Sequence, residues 1–310
     1  MSVGSIPTRT GPTAPSRRKA ARSGPPTFVL VIVWAFALLW LIPIVGALIT
    51  SFRTFDDLNI NGFWSIPQKL TLDNFSRAWD QAHISRYLGN SFKITIPALA
   101  ITMLFSSMCA YALVRFKFLL NRPIYMMFVA GLMLPFQIML LPVFMLANKV
   151  HFMPAISLNP LQLQLTTTYD TFWALILFHS AFQMGFSTFV LRNFMKTVPP
   201  SLFESAVIDG ATEWTIFRRI ALPLLLPGLA ALATLEFTWI FNDYLWAVVL
   251  IQNDNLKPIT TGLANLRGQY VSDWPLLVAG SLIATLPTLI VFFGLQRYFI
   301  DGLTVGATKG

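Results

Sequence analysis

The feature that most restricts this chain is a series of long stretches with no charge at all. Residues 28–50, 94–114, 123–148, 171–191 and 275–296 contain no Asp, Glu, Lys or Arg, and 221–251 contains only Glu236 and Asp243. Crossing a bilayer takes roughly 20 apolar residues, and each run reaches that length. In hydrocarbon every backbone N–H and C=O needs a partner within the protein, which a helix supplies by itself. The chain therefore predicts an all-α multi-pass membrane protein with six transmembrane helices, at about 28–50, 94–114, 123–148, 171–191, 224–250 and 275–297. Composition agrees, since only 11% of the 310 residues are charged, against about 25% in a soluble domain.

Charge placement sets the orientation. Residues 1–27 are rich in Pro, Ser, Thr and Gly and carry five basic residues with no acid; such a segment cannot bury a core and reads as a disordered basic tail. The first apolar run is longer than the usual signal-peptide core of about 7–15 residues, so it reads as a retained span. With both termini in the cytoplasm, 14 of the 22 Lys and Arg fall inside, while Asp56, Asp57, Asp73, Asp80, Asp170, Asp254 and Asp273 fall outside. That is the positive-inside pattern. The net charge of +9 thus reflects topology, and no nucleic-acid partner is expected because the basic residues do not form one patch. Cys109 stands alone and forms no internal disulfide. His83, His151 and His179 lack ligand spacing, so no metal site is expected.

Between spans 4 and 5 lies a polar loop, 192–223. Pro199 and Pro200 exclude a helix interior, and Ser201 followed three residues later by Glu204 reads as a capping box that starts a helix at Leu202. At 100° per residue Leu202, Phe203, Ala206, Val207 and Gly210 share an arc of about 140°, with Glu204 and Ile208 outside it. Gly210 can take the positive φ that ends such a helix. A second helical segment follows from about Thr212, with Arg218 and Arg219 near its end.

On these residues the chain resembles the membrane subunits of binding-protein-dependent ABC importers, whose cytoplasmic loop reads Glu-Ala-Ala, three residues, Gly, nine residues, Ile, one residue, Leu-Pro. Glu204, Ala206, Gly210, Ile220, Leu222 and Pro223 fall on that spacing, with Ser205 in place of the first alanine. The resemblance implies the type I importer permease fold, with Glu204, Ser205, Ala206, Asp209, Gly210, Ile220, Leu222 and Pro223 forming the coupling joint to a separate ATPase. Leu70, Thr71, Asn74, Phe75, Asn90 and Ser91 match a segment common in sugar-importer permeases, and Ala110, Tyr111, Ala112, Arg115 and Phe116 end span 2 in the same manner. By itself the stretch before span 2 reads as an interfacial helix capped by Asp73, with Phe75 and Trp79 stacking one turn apart. The C-terminus is similar to that of the MalG-like permeases of carbohydrate uptake through Gly302, Leu303, Thr304, Gly306, Lys309 and Gly310. Gly306, Lys309 and Gly310, in a cytoplasmic tail at 301–310, are thereby implied to touch the ATPase.

Two spans carry unusual residues. Span 3 holds Pro135, Gln137 and Pro142, which free backbone carbonyls near mid-membrane and fit either a kink beside a translocation path or a kink for packing. In span 5, eleven Leu, Ile, Phe and Val residues between Leu229 and Ile251 favour insertion by about 0.3–0.6 kcal/mol each. Two acids near the middle cost about 2.5–3.5 kcal/mol apiece and cancel that gain. Glu236, Trp239, Asp243 and Trp246 fall on one face with Asn242 beside them. Carboxylates and an amide bond hydroxyls and indoles cover C–H faces, so these five residues are candidates for a sugar path. The same groups could instead tie span 5 to a neighbouring span.

The chain contains no Gly-x-x-x-x-Gly-Lys-[Ser/Thr] loop, the phosphate cradle of many ATPases. The reading is a non-enzymatic permease subunit of an ATP-driven carbohydrate importer in a prokaryotic plasma (inner) membrane. It binds no cofactor of its own. ATP and Mg would reside on a partner ATPase dimer, a second homologous permease would complete a heterodimer, and an extracellular or periplasmic binding protein would deliver solute. The alternative is a self-contained ion-coupled secondary transporter using Glu236 and Asp243.

Overall fold

The computed structural model describes residues 26–150, 153–154, 165–266 and 273–307. Expectations for residues 1–25, for His151 and for Lys309 and Gly310 lie outside the described residues. The chain divides into two units, Met1–Gly46 and Ala47–Gly310.

In chain order the helices are α1 (Thr27–Ser51), α2 (Phe55–Asn61), α3 (Asp73–Gln81), α4 (Ile84–Arg115), α5 (Asn121–Leu132), α6 (Leu140–Lys149), α7 (Phe172–Met195), α8 (Pro200–Ile208), α9 (Glu213–Ile216), α10 (Leu222–Phe241), α11 (Leu245–Leu250), α12 (Ile259–Gly262) and α13 (Trp274–Ala307). Among the described residues there is also a two-residue antiparallel ladder, β1 (Met153–Pro154) with β2 (Leu165–Thr166), and an isolated antiparallel bridge between Arg53 and Leu70. Five helices among the described residues are long and apolar enough to cross a membrane, and a bent pair makes up to six.

That pair corrects the expectation of one helix at 123–148. Residues Asn121–Leu132 and Phe136–Lys149 meet at 98°. Proline has no N–H to continue the ladder and pushes the residue before it out of the helical region. Pro135 itself is extended, with ψ 120°, so the bend falls where the sequence places that proline.

Span 5 departs in a different way. The helix expected at 224–250 ends at Phe241 and restarts as α11 at Leu245. The Asp243 carboxylate accepts the N–H groups of Trp246 (3.4 Å) and Ala247 (3.1 Å), replacing helical carbonyls with its own oxygens. Upstream, α9 runs into α10 through a π turn at Phe217–Ala221, where the Leu222 N–H reaches the Phe217 carbonyl. Pro223 offers no N–H and would crowd the preceding turn of a regular helix, and the wider π turn accommodates it. Spans 2 and 6 are longer than their charge-free runs. α4 starts at Ile84, before Arg86 and Lys93, and the final helix runs on through 301–307.

α4, α7, α10 and α13 pack around three buried clusters, centred on Ile94, Leu175 and Trp246, on Tyr111, Leu191 and Ile216, and on Tyr87, Phe237 and Ala279. Small and polar residues let membrane helices approach closely. Ser180 on α7 donates to the Ala98 carbonyl of α4 at 3.3 Å. A Cβ on Gly262 would come within 2.1 Å of the buried Tyr87 ring, so α12 sits against α4 only because that residue is glycine.

Polar side chains organise the segments between spans. Arg53, fully buried, bonds Asp57 at 2.7 Å, the Gly62 and Phe63 carbonyls at 3.0 and 3.2 Å, and the Ser65 hydroxyl at 2.8 Å. Asn74 donates to the carbonyls of Ser51 (2.9 Å) and Arg53 (2.7 Å). Asn90 donates to Asn255 and Lys257 carbonyls at 2.8 and 3.0 Å, and the Ser91 hydroxyl accepts the Ile259 N–H at 2.9 Å. The motif residues at 74, 90 and 91 thus clamp loops that lie far off in sequence. Asp73 is not the cap of α3, whose N-cap is Leu72; it lies in the first turn, where an acid favours the helix dipole. Phe75 sets its ring against Phe52, at 5.2 Å between centroids.

Candidate functional site

Two features of the second unit can act on something outside the chain. One is the elbow α8–α9. α8 begins at Pro200, not at Leu202, and Pro199 caps it without a side-chain bond, so the Ser201–Glu204 capping box does not form. Proline is well placed in a first turn, where its missing N–H has no helical partner to lose. The C-terminus closes as a Schellman motif. Gly210, at φ +79°, donates to the Val207 carbonyl and Ala211 to the Ala206 carbonyl, both at 3.0 Å. Thr212 then caps α9, its hydroxyl accepting the Thr215 N–H at 3.3 Å.

Within α8, Phe203 and Ala206 face inward, whereas Glu204, Ser205, Asp209 and Gly210 are exposed. Ser205 donates to the Leu202 carbonyl at 3.1 Å. Ile220 and Leu222 are half-buried in the π turn and just after it, and Pro223 is exposed. Leu202, Val207, Ile208 (86% exposed) and Trp214 (59%) remain uncovered. Hydrophobic residues this exposed at one elbow form a patch suited to a protein partner.

The elbow is fastened to the end of α4. Glu213 accepts from Arg115 Nη2 at 2.9 Å and from the Tyr111 hydroxyl at 2.5 Å. The Tyr111 ring meets Phe203 edge-on at 6.2 Å and lies 5.4 Å from Phe217. Arg115 and Tyr111 belong to the segment that ends span 2, but nothing local in sequence links them to Glu213, about a hundred residues away.

The second feature is a cleft of about 610 Å³ between α7, the break after α10 and the bend of the third apolar run at Gly131, Leu132 and Phe136. Trp239, Asn242, Asp243 and Trp246 line it, as do His179 and Gln183 of α7. Trp239 is half-exposed and tilted against Phe186, 5.4 Å between centroids, while buried Trp246 stacks on Phe178 at 3.7 Å. Asn242 Nδ2 donates to the Thr238 carbonyl at 2.9 Å. Asp243 Oδ2 lies 3.6 Å from His179 Nε2.

Four of the five span-5 candidates therefore meet at one cleft, and Glu236 does not. It is fully buried, and its Oε1 accepts the Ser187 hydroxyl of α7. His179 and Gln183 were missed as cleft residues because neither forms a motif; their i, i+4 spacing with Phe182 and Phe186 interleaved is the signal that one α7 face is polar and aromatic. Gly306 lies in the last turn of α13, with no separate tail before residue 307.

Membrane-length helices, a half-span bent pair, a polar elbow with an uncovered apolar patch and a cleft at a helix break define a transport component of the membrane, not a receptor anchor or a pore of uniform helices. The chain belongs to the family described as binding-protein-dependent transport system inner membrane component, whose model matches residues 102–305. It is 36% identical over 288 residues to the arabinooligosaccharides transport system permease protein AraQ of Halalkalibacterium halodurans, covering 92% of this chain and 97% of that protein. It is 31% identical to the diacetylchitobiose uptake system permease protein NgcG of Streptomyces coelicolor, over 90% of this chain and 87% of that one. Its fold is similar to a bacterial ABC transporter involved in the import of the acidic polysaccharide alginate, with a TM-score of 0.73 at 18% identity, over 88% of this chain and 95% of that chain.

Proposed function

We propose that this chain is a permease subunit of an ATP-driven importer of carbohydrate, which couples ATP hydrolysis on a separate ATPase dimer to alternating access of the membrane path. The observation that carries this reading is the Schellman-closed elbow at Gly210, with its uncovered Leu202, Val207, Ile208 and Trp214, in a chain of the binding-protein-dependent family. Glu204, Ser205, Ala206, Asp209, Gly210, Ile220, Leu222 and Pro223 form the joint, and ATP and Mg belong to the partner. The carbohydrate class follows from relatives such as AraQ, NgcG and the alpha-glucoside permease AglG of Rhizobium meliloti.

The working assembly is this chain with a second, homologous permease, two ATPase subunits and an external binding protein. It sits in a prokaryotic inner membrane with both termini and the elbow on the ATPase side. Trp239, Asn242, Asp243 and Trp246 line this subunit's share of the path. The C-terminal segment with Gly306, Lys309 and Gly310 reaches the ATPase. An ion-coupled transporter built on Glu236 and Asp243 gains no support, because Glu236 lies outside the cleft that Asp243 lines and the chain belongs to the binding-protein-dependent family.

The test is co-purification. Tagged full-length chain should bring down an ATP-hydrolysing subunit, and substituting aspartate at Ile208 should abolish that capture. Proton-gradient-driven sugar uptake by vesicles holding this chain alone would overturn the reading.

A further inference from the structure

We infer that the cleft is a binding site for a neutral saccharide and that it turns away acidic ones. The inference rests on the carbohydrate-importer reading and adds to it a wall from α7 and a charge rule.

The geometry is that of a site for a small ring compound. Its volume of about 610 Å³ falls within the 300–1,000 Å³ typical of ligand pockets. On one wall Trp239 leaves half its indole uncovered beside Phe186, although most large side chains near the helix break are buried. An uncovered indole next to amide groups suits the apolar C–H face and polar hydroxyl edge of a sugar. On the other wall Gln183 is buried, and its Oε1 has no hydrogen-bond partner among the described residues. Buried acceptors are seldom left unpaired, so this one calls for a donor from outside the fold. A sugar hydroxyl supplies such a donor, so this wall favours saccharide as a class.

The charges facing the cleft select further. Among the described lining residues the titratable groups are Asp243 and His179, 3.6 Å apart, and no Lys or Arg is present. Asp243 cannot relocate to make room for a second carboxylate, because two backbone N–H groups of α11 hold it. A uronate placed against Trp239 would meet that fixed acid with no Lys or Arg in this subunit's lining to answer its charge, an arrangement that disfavours binding. A neutral glycoside meets no such penalty. The fold is shared with an importer of acidic alginate, so the discrimination lies in these side chains and not in the scaffold.

The test measures binding to the purified, assembled importer without its external binding protein, so that the carrier's own selectivity cannot intrude. Maltose, arabinobiose and diacetylchitobiose are titrated against digalacturonate by calorimetry. At least one neutral sugar is expected to bind, with digalacturonate at least tenfold weaker. Trp239→Ala and Gln183→Ala should each weaken the neutral sugar at least tenfold, and Gln183→Lys should narrow the gap to digalacturonate. Equal binding of both classes overturns the inference, as does neutral affinity within twofold of the parent in both alanine variants. Absence of any neutral binding overturns it too. In that case ATP-dependent sugar uptake by the complete importer would leave the transport reading standing, and no uptake would remove that as well.

Discussion

Arg115, the last residue of α4, and Glu213, the first of α9, face each other as a forked ion pair, with Arg115 Nη2 2.9 Å from Oε1 and Nε 3.2 and 3.3 Å from the two carboxylate oxygens. The pair joins the end of span 2 to the elbow, so motion of α8 and α9 is passed to α4 as well as to α10. Both side chains are partly exposed, which limits the pair's contribution to stability to about 0–1 kcal/mol. Glu213→Gln should therefore leave abundance in the membrane near that of the parent while lowering ATP-driven uptake. Measured uptake per assembled complex checks this, and parental uptake would show that α4 takes no part in coupling.

Gly210 holds φ +79°. A β-branched residue there meets backbone strain of order 1–3 kcal/mol, and the two Schellman bonds are lost with the turn. Gly210→Val should abolish solute uptake with insertion and abundance retained, as read by transport assay beside quantitative blotting.

Glu236 separates a tie between helices from an ion relay. Interhelical side-chain hydrogen bonds within membranes contribute about 0.6 kcal/mol on average. Gln can still accept from Ser187, so Glu236→Gln should retain most uptake; Glu236→Ala should lower thermal stability in detergent by an amount of that order. Complete loss of transport in the glutamine variant would bring the relay back.

The Arg53 guanidinium beside Asp57 holds that carboxyl below the usual carboxylate range, aided by Asn61 and the Gln68 N–H. Because the folded pKa is lower than the unfolded one, the stabilisation is fully present at neutral pH, and it is lost as pH falls from about 4 through the depressed value. Amide exchange in residues 53–66 should accelerate on acidification before that of α4 does. Asp57→Asn should show fast exchange in this segment already at pH 7.

Packing at Gly262 gives a fifth, purely steric expectation. An added methyl would sit within 2.1–2.5 Å of ring atoms of Tyr87, whose hydroxyl is held by Asp254 at 2.8 Å. Overpacking of this kind costs typically about 1–3 kcal/mol, so Gly262→Ala should lower the melting temperature of the detergent-solubilised protein, and Tyr87→Phe should not relieve it.

What was legible in the sequence was what is local. Spans follow from uncharged length, and the elbow from two prolines, a glycine and their spacing. The start of α8 is not legible because Ser201 and Glu204 fit a capping pattern just where Pro200 fits the first turn better. Pro135 signalled a kink, but not that the two halves of the third apolar run would turn 98° from each other, since that angle depends on the neighbours that receive the freed carbonyls. Arg53 follows the end of a span with no motif around it; its role depends on four groups between 57 and 65 folding back over it. The partnership of α7 with span 5 at the cleft is tertiary in the same way, and only an interleaved polar and aromatic stripe at 179–186 hinted at it.

The junction at Phe217–Ala221 bears on how work crosses the bilayer. Residues Glu213–Phe241 form a single span of 29 residues with the π turn inside it and no loose linker. At 1.5 Å per residue this is a rod of about 43 Å, longer than the hydrocarbon layer of about 30 Å. A shove at Thr212 thus arrives at Trp239 on the far stretch of the same beam. On the proposed function the subunit is a rocker, with the elbow as the short handle offered to the ATPase and the wall of the cleft at the other end.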